Sequence, residues 1–557
     1  MAQPSKFNLP QTMQEAIALH RQGRLREAEK LYARALKAAP DNFDALHMLG
    51  LIKAQSGQMG EAYRLMSAAL RLNPKAGDAW INLANVLHAL KRDAEALECL
   101  DKAVALSPAD PHALQNRGSA LLTLGRTQEA LDNFERALTA DPRNGEALFN
   151  RGVAKAKLGQ HAPALADFDA VLLLAPDNPD TLYNRGTALF ELGRDTEALE
   201  ALERAVCTAP SHINSWINRG RAQQALNRYR EAADSFTRAI TLQKDSADAH
   251  YNRAFTLLAL GEMTEGFADY EWRWKRTGMT DTRRNFRGQL WLGEYPLRDK
   301  SILLHAEQGL GDTIMFARYA PLLAQGGARV LLQVQPELKS LMSGLNGIAS
   351  CYARGEELPH YDVHCPLGSL PFALKRDTLG ATVPYLRAPE RRLAQWRPRV
   401  EALPGRRVAL CWAGNPNQAN DVNRSMTARF LEPLLGMDGI SFIGIQHDLR
   451  EGDAEWMTRH PRLSHFGGEL TDMADTAALM TLADLTITVD TSVLNLAGAM
   501  GLPAWGMLTF SPDWRWMSQG ESCPWYPQLK LFRQPSRGDW QDVIARVGAG
   551  LKRFADA

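Results

Sequence analysis

Two patterns of apolar and polar positions divide the 557-residue chain. Up to about residue 280 the pattern repeats. Pro40, Pro74, Pro108, Pro142, Pro176 and Pro210 follow one another at intervals of 34 residues. Gly23, Gly57, Gly125, Gly159, Gly193 and Gly261 keep the same period, with Lys91 and Asn227 in the two remaining slots. Ala28, Ala62, Ala96, Ala130, Ala164, Ala198 and Ala232 keep it too. Proline ends the second helix of a unit, glycine turns the chain between helices, and alanine lets two helices pack closely. The pattern predicts eight two-helix units from about residue 9 to 280. In the last unit Gly266 and Arg273 replace the packing alanines, and GFADYEWRWK is rich in aromatics. Such a unit either caps a solenoid or docks it onto the next domain.

From residue 301 short apolar runs alternate with helical patterns. Candidate strands are 301–304, 328–334, 348–353, 361–364, 407–412, 440–446, 484–489, 503–508 and 529–532. This alternation predicts parallel sheets with helices on both faces. The expected organisation is an all-α superhelix over 1–280 and a connector, Arg-rich at 282–287, over 281–299. An α/β region of two Rossmann-like halves comes next, 300–388 and 406–535, joined by a charged, proline-bounded linker at 389–405. A helix within 536–557 closes the sequence. Two such halves leave a cleft at the carboxyl ends of their strands, where ligands bind.

Three strand–loop–helix stretches carry candidate chemistry. In SILLHAEQGLGDTIMFARY, Ser301 to Tyr319, Gly309 and Gly311 allow a sharp turn and close approach of a ligand to the backbone. A helix starting near Thr313 offers free N–H groups, and Asp312 at its mouth can cap it or take a proton. In VALCWAGNPNQANDVNRSM, a loop rich in Asn415, Asn417, Asn420 and Asn423 precedes Arg424 and Ser425. Arg424 suits a phosphate, and Ser425 suits the cap of a helix near Thr427. In DLTITVDTSVLNLAGAMG, Asp490, Thr491 and Ser492 open a small-residue helix that holds Asn495 and suits a diphosphate. Each stretch alone can also be read as a capped, closely packed helix. His305 and His447 are alternative bases near strand ends, or structural residues.

One column of the repeats exceeds what packing demands. Asn82, Asn116, Asn150, Asn184, Asn218 and Asn252 recur on the first helix of six units, and Arg117, Arg151, Arg185, Arg219 and Arg253 follow five of them. Asparagine is a mediocre helix former, while its amide can pair with a peptide backbone or with a neighbouring unit. Asp167 and Asp169 form a D-x-D, read as surface charge on a repeat helix.

Charge and cysteines narrow the class. With 64 Lys+Arg against 63 Asp+Glu the net charge is +1, which makes no case for nucleic acid or anionic membrane. Six scattered cysteines suit a reducing compartment. The first ten residues lack an apolar core, and no apolar run is long enough to span a bilayer. A cytoplasmic protein is expected.

These stretches resemble known families. The 34-residue marks are those of tetratricopeptide repeats (TPR). The asparagine column resembles the ladder lining the TPR superhelix of O-GlcNAc transferase. That resemblance implies that the six asparagines hold an acceptor polypeptide. GLGDTIMFARYAPLL and VDTSVLNLAGAMG, in that order, resemble the two motifs of heptosyltransferase-like glycosyltransferases, family nine. Bacterial proteins that join TPR repeats to such a domain share WAGNP, N-R-S, PDWRW and PWYP, all present here, and include flagellin glycosyltransferases. The resemblance implies a GT-B fold and metal-independent, inverting transfer from a nucleotide sugar to a Ser/Thr hydroxyl of a protein, flagellin among the options. No cofactor is implied. Asp312 would be the base, and Gly309, Gly311, Asn415, Arg424, Ser425, Asp490, Thr491, Ser492 and Asn495 would meet the donor. Asn495 stands where the family has histidine, and an amide cannot carry a proton or a positive charge. Two other readings remain open: a TPR scaffold whose GT-B-like domain has lost its chemistry, and a lipopolysaccharide heptosyltransferase.

Overall fold

The structure is a computed structural model and describes residues 8–276, 286–375, 383–418 and 420–556. Most of the expected connector's arginine-rich part, 282–285, lies outside the described residues. Among the described residues sixteen α-helices run in pairs from Leu9 to Tyr270. The 34-residue marks fall where their chemistry requires. Gly23, Gly57, Gly125, Gly159, Gly193 and Gly261 all take φ between 72° and 87° in the turn between paired helices. Lys91 (φ 61°) and Asn227 (φ 59°) adopt the same left-handed conformation in their slots. That conformation strains lysine more than asparagine. Ala28, Ala62, Ala130, Ala164 and Ala198 are wholly buried between helices. A second small position faces them. A Cβ on Gly118, Gly152 or Gly220 would sit 2.6 Å from the ring of Phe134, Phe168 or Phe236.

The chain forms two compact units, Met1–Ser215 and Trp216–Ala557. The last repeats therefore belong with the α/β region. The cause is a set of specific bonds: Asn227 Nδ2 donates to the Phe510 carbonyl at 2.8 Å and Ser511 Oγ to the Gln224 carbonyl at 2.9 Å. The Ser518 amide donates to the Ala259 carbonyl at 3.0 Å, and Phe267 meets the rings of Trp514 and Trp525 edge-on.

Two parallel sheets make up the α/β region. The first holds β1 (Gln289–Leu290), β2 (Ser301–His305), β3 (Arg329–Val334), β4 (Ile348–Ala353) and β5 (Val363–Pro366), in the order β1-β5-β2-β3-β4. The second holds β6 (Arg406–Cys411), β7 (Ile440–Gly444), β8 (Leu463–His465), β9 (Leu485–Val489), β10 (Ala504–Leu508) and β11 (Leu529–Arg533). Its order is β11-β10-β9-β6-β7-β8. β2, β3 and β9 are almost wholly buried, as strands covered on both faces must be. β1 and β8 escape the apolar-run criterion because they are two and three residues long.

The stretch expected to be a linker is mostly a helix, Glu390–Glu401, with Leu393, Trp396 and Val400 buried. Trp396 Nε1 donates to Asp475 at 2.9 Å and Arg392 pairs with Asp472 at 3.0 Å. The i, i+3, i+7 spacing of the three apolar residues is the helical signal, obscured by six charged neighbours in twelve positions. The closing helix is Trp540–Asp556, which buries Val543, Ile544, Val547 and Leu551. Among the described residues no helix is long and apolar enough to cross a membrane.

Candidate functional site

The loop after β2 leads into the helix Leu310–Ala317, which starts three residues earlier than expected. Its N-cap is Gly309, in extended conformation (φ −68°, ψ 172°), so the glycine is not needed for a left-handed turn. Asp312 lies inside the first turn and is not the cap. A carboxylate there is still favoured by the helix dipole. Gly311 is glycine for packing: a Cβ would lie 3.1 Å from Asn495 Nδ2 and 3.6 Å from Ser492 Cα. That close approach brings the loop at the carboxyl end of β2 onto the helix Ser492–Met500, which comes after β9 of the second sheet. Two of the three candidate stretches are thus neighbours.

The third stretch joins them through Arg424, whose Nη1 donates to the Asp490 carbonyl at 3.1 Å. The guanidinium leaves no space beside Gly414, where a Cβ would meet Arg424 Nη2 at 2.5 Å. Asp421 organises this loop. It receives Arg424 Nε at 3.4 Å, Ser425 Oγ at 2.8 Å and the Arg450 guanidinium. Ser425 also accepts the Gly414 amide at 2.9 Å, so it ties the loop and does not cap a helix. Beyond it the chain forms a 3-10 turn, Ala428–Leu431, and a single α-turn, Glu432–Leu435, ended by Gly436. The helix start expected near Thr427 therefore supplies no anion site. Asn415 is exposed and accepts the Asn417 amide at 2.9 Å, a local turn.

The cap of Ser492–Met500 is Thr491, whose side chain accepts the Val493 amide at 3.2 Å. Asn495 is buried (4% exposed) and donates to the Thr491 carbonyl at 3.3 Å. Its amide oxygen has no hydrogen-bond partner among the described residues. Gly498 makes room for Tyr526, whose ring a Cβ would meet at 2.3 Å. The small residues of this helix therefore serve packing along its length.

Asp312 has a partner that sequence reasoning missed. Arg515, in the PDWRW stretch, pairs with Asp312 through Nη2 and with Asp513 through Nη1, the latter at 2.6 Å. The guanidinium lies 4.5 Å from the Trp514 ring centroid. Its loop is pinned by Arg533, which donates to the carbonyls of Trp516, Met517 and Gly520 at 2.5, 3.1 and 2.7 Å. Burial pushes the Asp312 carboxyl above its ordinary range, Arg515 pulls it back, and Asp513 adds to the rise. Asp490 is pushed up to about 6, by burial first and then by the charge of Asp513, with Arg424 and Arg515 opposing. Three carboxylates and two guanidinium groups thus sense one another in one place. The alternative bases are elsewhere. His305 is buried, stacked 4.0 Å from Phe286 and 3.3 Å from His364. His447 is exposed beside Asp448 at 2.8 Å.

In the repeats, the six column asparagines are half-buried. Asn116, Asn184 and Asn252 donate to carbonyls of their own helix at 2.7–2.9 Å. Asn82 and Asn150 reach across repeats to His47 (3.1 Å) and Ser119 (3.3 Å), and Asn218 accepts from Arg221 at 3.3 Å. The arginines after them are clasps. Arg151 holds Asp167 at 3.0 and 2.6 Å, Arg185 holds Asp169 at 2.7 Å, and Arg253 holds Asp269 at 2.6 and 3.2 Å. The D-x-D is accordingly two ion pairs. Asp167, with a side chain 5% exposed and also bound by Lys155 at 2.8 Å, is a buried member and not surface charge.

Family matches fall on the helices. Models described as tetratricopeptide repeat match residues 75–143, 116–179, 154–212 and 217–277, and one described as anaphase-promoting complex, cyclosome, subunit 3 matches 21–103. Protein FlbA of Caulobacter vibrioides is 28% identical over 337 residues, covering 55% of this chain and 55% of that protein. The chain thus spans about half the length of this curated relative. Among solved structures, YrrB, titled a TPR protein with an unusual peptide-binding site, is 26% identical over 33% of this chain and 95% of its own, with a TM-score of 0.30. PilF of Pseudomonas aeruginosa is 22% identical over 38% and 96%, with a TM-score of 0.35. The paired helices of this chain are an array of tetratricopeptide repeats, followed by an α/β region of two parallel sheets.

Proposed function

We propose that this chain is a glycosyltransferase that moves a sugar from a nucleotide-sugar donor to a hydroxyl of a protein held by its repeats. The observation that carries the reading is the approach of Gly311 to Asn495 and Ser492. It joins the loops at the carboxyl ends of β2 and β9, one from each sheet, with a carboxylate on one side and a helix N-terminus and Arg424 on the other. Ligands of parallel α/β sheets bind at such ends. The repeats supply the protein-interaction role. The two parallel sheets, which suit a GT-B fold, and the family-nine resemblance support the reaction class.

In this reading Asp312 takes the proton of the acceptor hydroxyl as its oxygen bonds to the anomeric carbon. The bond from that carbon to the phosphate oxygen breaks, and its electron pair leaves with the nucleoside diphosphate. Arg515 favours the ionised form of Asp312 against the effect of burial and fixes its direction. Arg424 and the positive end of the helix after Thr491 face the phosphate charge, a role in which preorganised charges and dipoles lower the barrier. Flagellin is one acceptor of the required kind. Asp312 and Arg424 together favour an active enzyme over a scaffold that has lost its chemistry.

Calorimetric titration with a panel of nucleoside diphosphates tests the donor side. At least one should bind, and Arg424→Ala should weaken it by roughly tenfold or more through loss of a charge-assisted bond. Equal affinity of the variant for every nucleotide that binds the wild type would remove Arg424 from the site.

A further inference from the structure

The irregular eighth repeat does more than end the array. Arg273 stands where other units carry a packing alanine, and its guanidinium is wholly buried. It donates to Glu271 Oε1 at 2.5 Å, to Glu307 Oε1 at 2.9 Å and to Ser369 Oγ at 2.6 Å. Ser369 in turn donates to Glu271 Oε2 at 3.0 Å. Glu307 is the second residue of the loop between β2 and the Asp312 helix. It is seated without slack, since a Cβ on Gly368 would lie 2.4 Å from its Oε1. The next residue is held from the same repeat, by Tyr270 OH donating to Gln308 Oε1 at 2.7 Å. The loop after β3 contributes Gln335, whose Nε2 donates to the Gln308 carbonyl at 2.7 Å and whose Oε1 accepts from Thr313 at 3.0 Å.

An end cap needs a polar outer face, not a charge buried in the next domain. Apolar residues would dock the repeat at least as well, because desolvating an ion pair offsets most of its attraction. What the guanidinium supplies is direction: a planar fork fixes the positions of the groups it binds. The site's charges also extend to this repeat. Burial pushes the Tyr270 and Tyr251 phenols up, and the charge of Asp312 adds to the rise in both.

We propose that Arg273 and Tyr270 are positioning residues for the Asp312 loop, so that the eighth repeat is a working part of the α/β site. The catalytic consequence rests on the reading of Asp312 as proton acceptor, while the mechanical claim stands without it.

Hydrogen–deuterium exchange on the full-length chain separates the two. In Tyr270→Phe, which removes one hydroxyl, exchange of peptides spanning 306–313 should rise by roughly two- to tenfold, with peptides from β6, β7 and the first repeats unchanged. Arg273→Met should give a larger rise at the same place, and Arg273→Lys a rise between the two. If the wild type transfers sugar, Tyr270→Phe should lower kcat and leave KM for the nucleotide sugar near its original value. Unchanged exchange at 306–313 in Tyr270→Phe would overturn the proposal, and so would a uniform rise over the whole chain. Absence of transfer by the wild type would count against the enzymatic reading alone, because the exchange result does not depend on turnover. Should Arg273→Met fail to fold, Tyr270→Phe still decides.

Discussion

The arginines of the repeats and those of the α/β site do the same chemistry over different distances in sequence. In the array Arg117, Arg151, Arg185, Arg219 and Arg253 each find a partner 16 residues away, on an adjacent helix. In the site Arg273 reaches 34 residues to Glu307 and 96 to Ser369, and Arg515 reaches 203 to Asp312. The array is therefore specified unit by unit, and damage to one clasp stays near its unit. The site is specified once, by groups that meet only when both sheets and the last repeat have assembled. A repeat array approximates a sum of unit and neighbour terms, whereas an assembled site does not.

The largest expected effect on stability comes from breaking the long-range side of this comparison. Arg515→Met leaves Asp312 and Asp513 facing each other without their shared cation. Removing one partner of a fully buried pair costs about 3–5 kcal/mol. With the Asp312 and Asp513 side chains 23% and 35% exposed, the loss here should lie at the lower end, about 3 kcal/mol. Chemical denaturation should show that loss, and a change under about 1 kcal/mol would mean that the pair is solvated and weak.

The next effect depends on pH. Glu307 is pushed up to about 7 by burial, with Arg273 opposing, and Asp490 to about 6. Both carboxyls are raised above their unfolded values. The folded state therefore holds protons that the unfolded state releases between about pH 4 and 7. Their contribution to stability is complete below about pH 4 and is lost as pH rises through 6 and 7. Glu307→Gln should shrink the difference in unfolding free energy between pH 5 and pH 8 by up to about 3 kcal/mol. An identical pH profile in the variant would show that Glu307 stays ionised beside Arg273.

A clasp of the array should matter less. Arg151→Ala removes one of two cations on Asp167 and leaves Lys155 in place. A loss of about 1–2 kcal/mol is expected, with increased exchange confined to that repeat and its neighbours. Loss of cooperativity across the whole chain would contradict the unit-by-unit picture.

The smallest effect on stability, and the largest on recognition, is expected from replacing Asn150, Asn184 and Asn218 by Ala. Alanine is the better helix former, so the melting temperature should change little. Binding of the protein partner should weaken substantially, since each lost bond is worth about 0.5–1.5 kcal/mol. Nucleotide binding should be unaffected. Undiminished partner binding would make the column structural, in line with the bonds of Asn82 and Asn150 to neighbouring repeats.

The same contrast decides what could be read from the sequence. The repeat marks were legible because Gly23 and its equivalents need φ > 0 and Ala28 and its equivalents need a close contact, and both demands recur every 34 residues. The strands were legible because parallel strands buried on both faces read as apolar runs. Asp312, Arg424 and Asp490 could be named from their place after strands. Their geometry could not. Gly311 reads as an opening for a ligand until Asn495 is seen against it, and Ser425 reads as a cap until Asp421 and Gly414 are seen on its hydroxyl. The helix at 390–401 was hidden by its charges, although Leu393, Trp396 and Val400 keep helical spacing. Arg515 lay in a shared motif without a role, because nothing local in PDWRW points to a carboxylate 203 residues away.

Asp312 is the proposed base for sugar transfer to a protein. Its direct test is intact-mass measurement of candidate acceptor proteins co-expressed with the wild type and with Asp312→Asn. The wild type should add the mass of one or more sugar residues to an acceptor, and the variant, folded and binding nucleotide as before, should add none. Equal modification by both would contradict the claim.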